Sequence, residues 1–74
     1  MKTQDINTSA PIMEIIKYKN LTAELRRGDY NYTWYCPELD RATIMSGNYD
    51  FNELLDRGQS WLIYINDIFG GPHD

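Results

Sequence analysis

The chain has 74 residues, 42% of them apolar and 14% aromatic, with 11 acidic side chains against 7 basic ones and a formal charge of −4. That length excludes a second folded unit and a deep cavity for a large cofactor, because a chain this short buries only about 60% of the surface it exposes when unfolded. The charge excludes any gain from counterion release on DNA or RNA, so direct nucleic-acid binding is disfavoured.

Met1 to Ala10 is polar apart from Ile6 and stops at Pro11, which biases Ala10 towards an extended backbone. Residues 1–11 are expected to be a mobile arm, 12–69 a single domain and 70–74 a frayed end. From Ile12 the chain turns rich in β-branched and aromatic residues, and Leu21, Ala23 and Leu25 alternate with Thr22, Glu24 and Arg26 as in a half-buried strand. Arg27-Gly28-Asp29-Tyr30 suits a tight hairpin, Gly28 by its freedom at positive φ and Asp29 by bonding its own backbone.

A second strand returns with Tyr30, Tyr32, Trp34 and Cys36 on one face and Asn31, Thr33 and Tyr35 on the other, and Pro37 ends it. After Glu38-Leu39-Asp40, the stretch Arg41 to Ser46 reads as a third strand closed by Gly47-Asn48. Asp50 with Glu53 three residues later makes a relaxed capping box. Phe51, Leu54, Leu55, Gly58, Trp61, Leu62 and Ile65 then recur at helical spacing. Gly58 falls mid-pattern and would also serve as a C-cap ahead of a strand Trp61 to Ile65; a continuous helix to about Asp67 is the favoured reading.

The expected fold is therefore α+β, a three-stranded antiparallel meander covered by one C-terminal helix (β-β-β-α), with room for a further short strand. Its expected core holds Leu21, Ala23, Leu25, Tyr32, Trp34 and Ile44 from the sheet and Phe51, Leu54, Leu55, Trp61, Leu62 and Ile65 from the helix. Thr33, Tyr35, Arg41 and Thr43 are assigned to the opposite face, which is expected to be either exposed or paired with a second copy. A small open sheet leaves two unprotected edges, so a homodimer is expected.

Few residues offer chemistry. His73, the one histidine, is penultimate and untethered, a poor general base. Cys36 has no partner for a disulfide or a zinc site and no nearby base, and reads as a small buried hydrophobe in a reducing cytoplasm. Glu38, Asp40, Asp50, Glu53 and Asp56 lack the close spacing of a hard-cation loop. No catalytic, cofactor or metal site is expected. No segment resembles an export signal or a membrane span, since the apolar run Trp61 to Ile65 falls far short of the roughly 20 residues a span needs. The triplets at Asn7, Asn20 and Asn31 match the glycosylation pattern by chance.

From Tyr18 to about Asp67 the chain resembles the HicB family of antitoxins. The matching residues are Gly28-Asp29-Tyr30 at a hairpin, Tyr35-Cys36-Pro37-Glu38-Leu39 at a corner, Gly47 before the helix, and Glu53-Leu54 in its first turn. The resemblance implies a partial ribonuclease H fold without nuclease activity that covers a small basic messenger-RNA interferase. The family usually adds a C-terminal DNA-binding segment. This sequence reaches Asp74 without one, and a stand-alone binder is the expectation.

The expected function is a non-enzymatic acidic module that sequesters a basic protein such as a nuclease toxin. The alternatives are a phage-encoded inhibitor of a host nuclease or defence complex, and a single-stranded RNA-binding module built on the tyrosine-rich strand. Expected partner contacts are Tyr30, Tyr35, Glu38, Asp40, Asp50 and Asp56, because tyrosine offers area with a hydroxyl and carboxylates match Arg and Lys.

Overall fold

The computed structural model describes residues 11–70. The expected arm over residues 1–10 and the expected end over residues 71–74 lie outside the described residues. Four strands, β1 (Ile12–Tyr18), β2 (Leu21–Arg27), β3 (Asn31–Cys36) and β4 (Arg41–Ser46), form one antiparallel sheet in the order β1-β2-β3-β4. A helix, α1 (Phe51–Ile65), follows and ends in a π-helical turn, Asn66–Gly70.

The α+β class and the helix-after-sheet order hold, and the meander has four strands, against the expected three with room for a further short one. β1 pairs with β2 from Tyr18↔Leu21 to Ile12↔Arg26, with a bulge between Ile12 and Glu14. Its hairpin turns at Lys19, whose φ of 57° lies in the left-handed region that Gly or Asn more often occupies.

Alternation along β2 places Leu21, Ala23 and Leu25 under the helix, all 5% exposed or less. The pairs Leu25↔Trp34 and Trp34↔Thr43 carry that face across β3 and β4, so Trp34 sits at its centre with no exposed surface. Leu54, Gly58, Leu62 and Ile65 form the buried stripe of α1. Tyr32, Leu55 and Trp61 pack partly buried against this core, as expected of them.

Two expected core residues are corrected. Ile44 is 54% exposed, because its pairing with Thr33 puts it on the face away from α1, and Arg41 and Thr43 take the face that α1 covers. This is a one-residue slip in reading β4, which exchanges every side chain between faces. Phe51 is 45% exposed at the first helical position, outside the buried stripe.

The helix is continuous through Gly58. Asp50 accepts from the Glu53 N–H at 2.8 Å, and Glu53 accepts from the Asp50 N–H at 3.2 Å, which closes the capping box. Gly58 lies against the Trp34 ring: a Cβ there would fall 2.8 Å from Nε1 and closer still to Cε2 and Cζ2. The indole N–H donates to the Leu54 carbonyl at 3.0 Å, one helical turn before Gly58. Gly58 is thus the slot in α1 that admits Trp34. Among the described residues no helix is long and apolar enough to cross a membrane.

Candidate protein-interaction surfaces

The six residues expected to meet a partner divide over the two ends of the sheet and the helix. Tyr30 and Tyr35 are near opposite ends of β3, about 17 Å apart at strand rise. Tyr30 is 90% exposed beside the β2–β3 hairpin, which the Gly28 N–H closes by donating to the Asn31 carbonyl at 2.7 Å. The Tyr30 carbonyl comes so close to Gly47 that any Cβ there would sit 2.6 Å from it, which is why glycine follows β4. A shallow cleft of about 100 Å³ between Arg27, Tyr30 and Gly47 is far smaller than the roughly 300 Å³ at which ligand pockets begin.

At the other end, Tyr35, Glu38 and Asp40 form a bonded corner. The Tyr35 hydroxyl donates to Asp40 Oδ1 at 2.8 Å, and Asp40 takes φ 53° to complete the β3–β4 turn. That hydrogen bond, with lesser help from burial and the nearby negative charges, pushes the Tyr35 phenol above its usual pKa of 10.0. Glu38 reaches back across the sheet to the start of β2. It accepts from the Thr22 N–H at 2.9 Å, and its two oxygens lie 3.0 and 2.9 Å from the Thr22 hydroxyl that donates to them. Burial alone would raise the Glu38 pKa; the bonds from Thr22, from its own N–H and from the Cys36 thiol outweigh it and hold the carboxyl below the usual 4.5.

Cys36 is fully buried, and burial pushes its thiol above 9.0, which leaves it protonated and unreactive at neutral pH. Among the described residues no three His, Cys, Asp or Glu side chains come together in a way that would hold a metal ion.

Asp50 caps α1, whereas Asp56 is exposed on the helix's outer side. At 100° per residue, Glu53, Asp56, Arg57, Ser60, Ile63 and Tyr64 share one outward stripe, and all six are exposed. The guanidinium of Arg57, the one cation in the helix, lies over the Tyr49 ring at 4.4 Å from its centroid. Tyr64 is 60% exposed and Ile63 40%. Sequence reasoning found Asp56 but missed the stripe, although the i, i+3, i+4 spacing from Glu53 through Asp56 and Ser60 to Tyr64 was there to read.

The tyrosine-rich strand does not present its rings together. Tyr32 and Trp34 belong to the face that α1 covers, and Tyr35 belongs to the face away from α1. That face away from α1 is the one the sequence leaves exposed or paired with a second copy. Across it run two rows set by the strand pairings, Ile15–Glu24–Tyr35–Ala42 and Ile12–Arg26–Thr33–Ile44. Arg26 Nη2 donates to Glu24 Oε1 at 2.8 Å, an ion pair whose side chains are 13% and 20% exposed.

No family model matches the chain, and neither the curated proteins nor the solved structures match it.

Proposed function

We propose that the protein is a non-enzymatic binding module that sequesters a basic protein partner through the outer stripe of α1. The observation that carries this reading is the exposed run Glu53, Asp56, Ser60, Ile63 and Tyr64, where two carboxylates in the N-terminal half of the stripe lead to an apolar and aromatic patch in its C-terminal half while Arg57 is drawn onto Tyr49. Carboxylates at the rim speed encounter with a basic surface, and Tyr64 supplies the area that holds it. The chain's net charge of −4 acts in the same direction.

An antitoxin facing a nuclease toxin, as the HicB resemblance implies, and an inhibitor of a host nuclease or defence complex would use this same chemistry; the partner's identity separates them. RNA binding is less favoured, because Tyr32 and Trp34 lie beneath the helix rather than on an open platform.

The test is capture of a partner by the 74-residue chain from nuclease-treated native lysate, followed by titration of the purified partner with wild type and variants. A basic protein is expected, bound more weakly as salt rises, with affinity cut at least about tenfold by Asp56→Lys and by Tyr64→Ala. A partner indifferent to both changes, or recovery of nucleic acid alone before nuclease treatment, would overturn the reading.

A further inference from the structure

No further inference is drawn: the strongest candidate, the face of the sheet away from α1 with Ile12, Ile15 and Ile44 exposed on its two outer strands, carries nothing, because Thr33 at its centre is 6% exposed, Glu24 and Arg26 are bonded to each other there, and nothing in the structure shows what covers it.

Discussion

Gly58→Ala is a substitution for which helix propensity and packing predict opposite signs. In an exposed helix interior, alanine is favoured over glycine by about 1 kcal/mol. At position 58 the added methyl would fall 2.8 Å from Trp34 Nε1 and closer to two ring carbons, inside a core where Trp34 has no exposed surface. Overpacking of that kind costs about 1–3 kcal/mol. Displacing the ring also stretches the 3.0 Å bond from Nε1 to the Leu54 carbonyl, and a buried donor left unpaired costs about 1–3 kcal/mol more. The net expectation is a loss of about 3 kcal/mol, against a total stability of about 4–11 kcal/mol for a chain of this length.

Urea unfolding followed by tryptophan fluorescence measures it. Ser60→Ala, at an exposed position of the same helix, should be neutral or slightly stabilising. Trp34→Phe removes the ring atoms that the methyl would strike, so the penalty of Gly58→Ala should shrink by about 1–3 kcal/mol in that background, a coupling a double-mutant cycle reads directly. Should Gly58→Ala stabilise the wild type by the propensity increment, the account of Gly58 as the slot for Trp34 would be wrong.

Two further outcomes follow from the capping and corner contacts. Asp50→Ala should cost about 1 kcal/mol and Asp50→Ser much less, because the serine hydroxyl still accepts from the Glu53 N–H; equal unfolding midpoints for Ala and Ser would refute the capping role. Glu38, held below its ordinary pKa, stabilises the fold above that ordinary value and loses the contribution as pH falls through the lowered folded value. Unfolding midpoints taken from about pH 7 down to about pH 3 should therefore fall less steeply for Glu38→Gln, whose amide oxygen still accepts from Thr22, and an acid limb as steep as wild type would exclude Glu38 as its source.

Much of the fold was legible wherever one physical demand fixed a residue. The alternation in Leu21, Ala23 and Leu25 and the Asp50–Glu53 box each had a single local solution, and the structure adopts it; the β2–β3 hairpin also turns where expected, but Gly28 does so without the positive φ expected of it. β1 was harder because Ile12, Met13, Ile15, Ile16 and Tyr18 place apolar residues on both sides, and its turn uses Lys19 at positive φ instead of a glycine. β4 was misread because Ala42, Ile44 and Met45 are compatible with either register. Trp34 decides between them from the neighbouring strand: its ring fills the space under α1, and Thr43 suffices opposite it. The continuous helix favoured through Gly58 holds, but a helix end there stayed open as the alternative, since the role of Gly58 depends on a tryptophan 24 residues earlier in the chain.

The acidic residues carry the same lesson into function. Asp50 accepts from a backbone N–H at the positive end of α1, Glu53 returns the bond, Glu38 ties the corner to Thr22, and Asp40 accepts the Tyr35 hydroxyl. Replacing any of these with lysine would disturb a turn or a cap, so weakened partner binding in such a variant would say little about contact. Asp56 is different: it is exposed in the middle of the helix, clear of both caps and on the same side as Tyr64. Charge reversal there changes the outward stripe and leaves the cap and corner bonds in place. Among the six residues chosen from sequence, Asp56 is therefore where a binding experiment separates recognition from stability, and pairing it with Tyr64 tests the carboxylate and the aromatic halves of the stripe independently.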